Sequence, residues 1–260
     1  GTALTDYSPE ELDRKYSINL GIAYAEWMDT KVNLIDTPGY LDFQGDAVSG
    51  LAAADGALCV VSATAGVEVG TEKMFREAID RGDPALFVIT MLDKEHASFE
   101  RTYQDIKSRL TGKVIPVEIP IGEGPKFRGV INLFAKKAYV YKQGAKSAEY
   151  DEMDIPAEER ERFDHYYQEL IEAISATDDT LLEHYLEGVE IGRDEHPALE
   201  VLGPDELGHL LEVERGADVG LGELHAAVGP LGHRVRERLL PWKRRARLVL
   251  GPDVDEVERM

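Results

Sequence analysis

The chain has 260 residues, 43% hydrophobic and 30% charged, which describes a soluble globular protein of one large domain or two modest ones. Its formal net charge of -21 excludes a nonspecific polyanion binder, because affinity for a nucleic-acid backbone comes from Lys and Arg neutralising phosphates. The single cysteine, Cys59, excludes an internal disulfide framework and fits a reducing compartment, and no apolar run approaches the ~18 residues of a membrane span.

In chain order, "INLGIAYAEWMDTKVNLID" alternates in two runs around a polar turn at Met28 to Lys31 and predicts a β-hairpin. Short apolar runs follow at "GALCVVSA", "ALFVIT" and "VIPVEI". Helical patterns lie among them over Asp42 to Ala54, Gly70 to Arg81 and Ala97 to Leu110. Strand and helix in alternation predict a parallel α/β sheet with right-handed crossovers.

After Pro120 the texture changes to antiparallel strands in "GPKFRGVINLFAKKAYVYKQG". A helix follows, with Pro156 at its start, Phe163, Tyr166, Leu170 and Ile174 on one face, and Gly188 as a C-cap. From about Ile191 a small α+β unit is expected. The tail "LLPWKRRARLVLGPDVDEVERM", with its basic patch at Trp242 to Leu248, receives no assignment. The seven histidines show no metal spacing, so zinc is not expected. "GLGELH", with Glu223 and His225, reads as a turn before a helix rather than a nucleotide loop.

The stretch that carries chemistry is "VNLIDTPGYLDF", Val32 to Phe43. A strand ending in Asp-x-x-Gly places a carboxylate, Asp36, where it can hold Mg²⁺ through water. Gly39 has no side chain, so its N–H can approach a terminal phosphate. Taken alone, four residues also describe a strand with a Pro-Gly turn.

Wider blocks extend the match. "TDYSPEELDRKYSI", "LIDTPGYLDF", "AADGALCVVSATAGVEVGTE", "MLDKEHASF", "IPIGEGPKFRGVINLFAKKAY" and "GLGELH" together resemble the elongation factor G family, over residues 1 to about 228. The resemblance implies a P-loop GTPase-type G domain over 1–120, with an inserted subdomain over 121–190. A third-domain-like, ferredoxin-like α+β segment over 191–240 and an unassigned tail over 241–260 complete the expected organisation.

It implies GTP or GDP with Mg²⁺ as ligands, a cytoplasmic location, the ribosome as partner, a monomer, and no role for membrane or DNA. Asp36, Thr37, Pro38 and Gly39 would form the phosphate-sensing turn. Ser17 and Asp36 would serve the cation. Thr90 and Asp93 would face guanine, with Asp93 accepting from the base N1–H and 2-amino group. Tyr40 stands where the family usually carries the histidine that orients the attacking water. Read without the family, Ser17 is an ordinary surface serine and Asp93 a cap for the helix near Ala97.

Departures from the family pattern matter as much. The phosphate-binding loop Gly-x-x-x-x-Gly-Lys-Ser/Thr occurs nowhere in the chain. The guanine loop reads Thr90-Met91-Leu92-Asp93, losing the family's Asn and Lys, and the second domain is missing.

The chain is therefore expected to be a fragment or an internally deleted form, lacking the first strand and phosphate loop of the G domain. Its hairpin and its later parallel strands would then share no neighbour, leaving it marginally stable and with little turnover alone. The intact relative implied is a GTPase coupled to ribosomal translocation. The alternatives are a non-hydrolysing, nucleotide-free ribosome- or partner-binding module, and a ribosomal protection factor.

Overall fold

Two sheets organise the described residues, 3–27, 30–142, 149–176, 179–188 and 246–250 of the computed structural model. In the first, β1 (Gly21–Trp27) and β2 (Thr30–Asp36) form the expected antiparallel hairpin, registered from Gly21 opposite Asp36 to Trp27 opposite Thr30. β3 (Gly56–Ser62) and β4 (Ala85–Thr90) pair in parallel, with Ser62 beside Thr90.

The expectation that these halves share no neighbour is corrected by the tail. The run Ala246–Leu250, β9 of the fold, lies parallel between β2 and β3, with Leu250 beside both Asp36 and Leu58. The strand order is β1-β2-β9-β3-β4. A backbone segment placed between two strands offers its N–H and C=O groups to both sides, so the inner edges of β2 and β3 are paired instead of open.

The crossovers are α2 (Gln44–Ala53), entered through a 3₁₀ turn at Leu41–Phe43, and α3 (Val69–Arg81); α4 (Phe99–Arg109) leads from β4 to the second sheet. α3 ends on Gly82, which takes the left-handed conformation at φ 80° and closes the helix. A core of Ile35, Leu51, Ala57, Cys59, Phe75 and Ala78 ties α2 and α3 to the sheet. Burial pushes the Cys59 thiol up to about 12, which makes it an inert core residue.

The second sheet is an antiparallel meander of β5 (Glu118–Ile121), β6 (Gly129–Asn132), β7 (Lys137–Tyr141) and β8 (Tyr150–Met153). "VIPVEI" was expected to extend the parallel sheet. The strand instead starts at Glu118 and pairs with β6, Ile119 opposite Ile131. A short α1 (Pro9–Arg14) precedes the hairpin, and α5 (Arg160–Ser175) and α6 (Asp179–Leu186) follow the meander. Pro156 precedes a 3₁₀ turn at Ala157–Glu159, and α5 proper begins at Arg160.

The predicted face of α5, Phe163, Tyr166, Leu170 and Ile174, is buried against Ile119, Ile121, Ile131 and Leu133 of the meander and Phe99 and Tyr103 of α4. Burying one such side chain is worth about 1.5–3 kcal/mol, so this cluster joins insert and parallel sheet firmly. The third-domain-like segment 191–240, with Glu223 and His225, lies outside the described residues.

Candidate nucleotide site

β2, β9, β3 and β4 are parallel, so their carboxyl ends share one edge of the sheet. Asp36 closes β2 and Thr90 closes β4. Three strand spacings separate them, ~14 Å, the scale of an extended nucleoside triphosphate. In open α/β sheets, ligands bind in the crevice outside these carboxyl ends.

At the β2 end, Thr37 and Pro38 are buried, Gly39 is half-buried and Tyr40 is exposed. Gly50 of α2 allows the close approach of helix and turn, since a Cβ there would sit 2.9 Å from the Thr37 methyl. Burial pushes the Asp36 carboxyl up; a Thr5 hydrogen bond opposes this, while the charges of Asp6 and Glu11 add to it, leaving it at about 6. The carboxylate is thus a desolvated oxygen donor among other negative charges, an environment that a hard divalent cation would relieve.

Residues 3–20 pack on this turn. Thr5 Oγ1 donates a hydrogen bond to Asp36 Oδ2. Ser17 Oγ donates to Asp6 Oδ1 at 2.9 Å, not to Asp36. The Tyr16 and Tyr40 rings lie 4.7 Å apart. The segment is held together by Glu11, whose side chain is fully buried. Glu11 Oε2 accepts from Ser8 N at 2.9 Å and Tyr7 N at 3.2 Å. Its Oε1 accepts from Ile18 N at 2.9 Å, Asn19 N at 2.8 Å and Asn19 Nδ2 at 3.1 Å.

Burial alone would push the Glu11 carboxyl up; the backbone N–H groups of Asn19, Ser8 and Ile18 outweigh it and hold the carboxyl down at about 2. Thr5, Glu11 and Tyr16 were not among the sequence candidates. Only the Ser8-x-x-Glu11 capping box, which the structure completes in both directions, signalled any of them.

At the β4 end, the alternative reading of Asp93 as a helix cap is removed. The cap of α4 is Ser98, whose side chain accepts from Arg101 N at 3.4 Å. Asp93 Oδ1 is buried and has no hydrogen-bond partner among the described residues. A buried acceptor without a donor is unfavourable by about 1–3 kcal/mol, and a ligand N–H would remove that penalty.

The loop that presents it is strained and braced. Met91 and His96 take positive φ values of 58° and 66°. Met91 is buried and accepts from Ser62 Oγ at its sulfur, 3.4 Å. Arg101 Nη2 donates to Thr64 O at 2.8 Å, Ala63 O at 3.0 Å and His96 O at 3.4 Å, tying the turn after β3 to the loop after β4. Gly124 N donates to Leu92 O at 2.8 Å, and Glu123 Oε1 accepts from Phe99 N at 2.7 Å. Arg101 and Glu123 too were missed from the sequence, where each reads as a surface charge.

Between the two ends, no stretch of the chain has the phosphate-loop pattern; β9 runs into Gly251-Pro252-Asp253. Among the described residues, no three His, Cys, Asp or Glu side chains converge as a metal site, so a cation here would rest on Asp36, hydroxyls, water and phosphate oxygens.

A parallel sheet with an Asp-x-x-Gly turn at one carboxyl end and, among the described residues, a buried acceptor without a donor beside another has the layout of a nucleotide-binding α/β domain. Comparison with known proteins gives the same class: the family model of the elongation factor Tu GTP binding domain matches residues 1–189. An elongation factor G-like protein of Thermotoga maritima is 38% identical over 194 residues, 75% of this chain and 27% of that protein. A crystal structure from Thermus thermophilus superposes with a TM-score of 0.68 at 34% identity, covering 97% of this chain and 32% of the other. The chain belongs to the elongation factor G family of translational GTPases. It spans about a third or less of the length of these relatives.

Proposed function

We propose that this chain is the guanine-nucleotide-sensing part of a translation factor that works on the ribosome, with GTP hydrolysis coupled to translocation in the whole protein. The observation that carries the reading is the buried Asp93 Oδ1, without a partner among the described residues, in the loop that leaves the same sheet edge as Asp36. Asp93 would select guanine by accepting from its donor edge, which adenine lacks. Thr90 would line the base side.

Asp36, with Ser17 after rearrangement of its bond to Asp6, would hold Mg²⁺, and Gly39 N–H would meet the terminal phosphate. Bound Mg²⁺ would neutralise the charge that develops on the phosphates. Thr37 and Pro38, both buried, fix the turn that presents Gly39. Tyr40 is exposed and can orient a water through its hydroxyl.

A second reading, a nucleotide-free ribosome- or partner-binding module, is favoured by one observation. The strand between β2 and β3 is β9, and the sequence that follows it has no phosphate-loop lysine. A ribosomal protection factor is a variant of the first reading. We place the protein in the cytoplasm as a monomer, without DNA; among the described residues no helix is long and apolar enough to cross a membrane.

Calorimetric titration of the chain with GTP and Mg²⁺, with ATP as control, tests the proposal. Guanine-selective binding supports it. Absence of binding, or equal binding of ATP, transfers support to the nucleotide-free module.

A further inference from the structure

The loop that carries Asp93 is bounded by two residues in the left-handed region, Met91 at φ 58° and His96 at φ 66°. Neither is glycine, so the conformation costs free energy that the surroundings must offset. Inside the loop, Lys94 N donates to Met91 O and Ala97 N to Lys94 O, both at 3.2 Å. These bonds join near neighbours and do not fix the loop against the sheet.

Contacts from other elements do. At the Met91 end, Ser62 Oγ of β3 donates to the buried Met91 sulfur at 3.4 Å. In the middle, Gly124 N donates to Leu92 O at 2.8 Å, and a Cβ at Gly124 would sit 3.2 Å from Lys94 O. At the His96 end the contact is Arg101, in the first turn of α4, whose Nη2 donates to His96 O at 3.4 Å.

The same nitrogen reaches a fixed point of the fold. It donates to Thr64 O at 2.8 Å and to Ala63 O at 3.0 Å. Ala63 is fully buried, and its oxygen also accepts from Ser98 N at 3.1 Å and Thr102 Oγ1 at 3.4 Å. One nitrogen with two N–H bonds thus serves three carbonyls, with a proton shared among them. All three acceptors are main-chain oxygens, so this guanidinium nitrogen orients backbone and pairs with no acid. Arg101 is itself exposed, yet it transmits the position of a buried turn to the strained end of the loop.

We propose that Arg101 is a positioning residue for guanine selection: its guanidinium holds His96, and through it the loop, in the conformation that keeps the Asp93 carboxylate open toward the base. The inference rests on the reading of Asp93 as the guanine acceptor. That carboxylate must meet two donors, the base N1–H and 2-amino group, and hydrogen bonds weaken steeply when misaligned. Without the brace the strain at His96 relaxes, and the two-donor alignment is lost before the fold is.

Inosine diphosphate (IDP) reads this alignment directly, because its base keeps the N1–H and lacks the 2-amino group. The ratio of GDP to IDP affinity, with Mg²⁺ present, is compared for the whole natural chain, Arg101→Met and Arg109→Met. Met keeps an unbranched, helix-favouring side chain and removes the donors. Arg109 lies on the same helix but bonds Glu72 and Val67 O, so its loss reports general loosening of α4. The natural chain is expected to prefer GDP about tenfold, the effect of one hydrogen bond to a charged group. Arg101→Met should bring the ratio within about twofold of unity, while Arg109→Met leaves it at about tenfold.

Hydrogen exchange without nucleotide gives the second readout. Arg101→Met should speed exchange at Lys94 and Ala97 by about tenfold and leave β3 and β4 unchanged. A GDP preference that Arg101→Met leaves intact, an equal fall in Arg109→Met, or unaltered protection of Lys94 and Ala97 would each overturn the positioning role alone. A natural chain that binds no GDP, or binds it no better than IDP, removes the reading of Asp93 and the inference with it, even where Arg101→Met loosens the loop.

Discussion

Tyr16 and Tyr40 meet with ring centroids 4.7 Å apart and planes inclined at 52°, which joins the segment before β1 to the turn after β2. Tyr40 is 41% exposed, so its position depends on this one ring neighbour more than on burial. Such a pair contributes about 1 kcal/mol beyond the area it covers. Tyr16→Ala is expected to lower Tm by about 3 °C, whereas Tyr40→Phe keeps the pair and the Tm. Calorimetric melting of the two variants checks this.

Glu11→Gln keeps the size of the side chain but turns one acceptor into a donor facing backbone N–H groups. The expected loss is about 3 kcal/mol, within the range for hydrogen bonds to charged groups. Urea denaturation measures it, with the m-value expected to stay unchanged.

The same two carboxyls set opposite pH dependences. Glu11 is held at about 2, below its unfolded value of 4.5, so its stabilisation is present above pH 4.5 and is lost as pH falls through 2. Asp36 is raised to about 6 from 3.8, so its contribution is full below pH 3.8 and is lost as pH rises through 6. Denaturation midpoints measured across pH 3 to 8 should therefore show a descending limb between about pH 4 and 6 that Asp36→Asn abolishes.

Asp93 should separate function from stability. Its Oδ1 makes no bond in the described structure, so Asp93→Asn is expected to change stability by no more than about 0.5 kcal/mol. The same variant should lose any preference for GTP over ATP. A large loss of stability would reveal a structural role instead.

β9 is the element on which the first sheet depends. Leu248 pairs with Leu34 of β2 and Gly56 of β3. Leu248→Pro removes a ladder donor between two strands, with an expected loss of about 3 kcal/mol or more. Circular dichroism melts would show a broad, early transition; an unchanged melt would contradict the central placement of β9.

What was legible in the sequence divides along physical lines. The hairpin, the Asp-Thr-Pro-Gly turn and the buried face of α5 follow local rules of alternation, turn chemistry and helical spacing. Asp36 ends β2, Thr37, Pro38 and Gly39 follow it directly, and Asp93 lies in the loop three residues beyond the end of β4. β9 was not legible, because a five-residue stretch that begins inside a basic patch carries no period of its own and its partners lie some two hundred residues earlier. "VIPVEI" misled for the same reason: a strand buried on both faces does not say which sheet it joins. Thr5, Glu11, Tyr16 and Arg101 read as surface residues, since their roles come from long-range contacts, apart from the capping box at Ser8.

The central claim is that the turn at Asp36 and the loop at Asp93 are two ends of one guanine-nucleotide site. The most direct measurement is the amide ¹H–¹⁵N spectrum of the whole chain titrated with GDP and Mg²⁺. Simultaneous, saturable shifts at Gly39 and Asp93, absent with ADP, are the predicted result. Shifts at neither end, or at one end only, would contradict the claim.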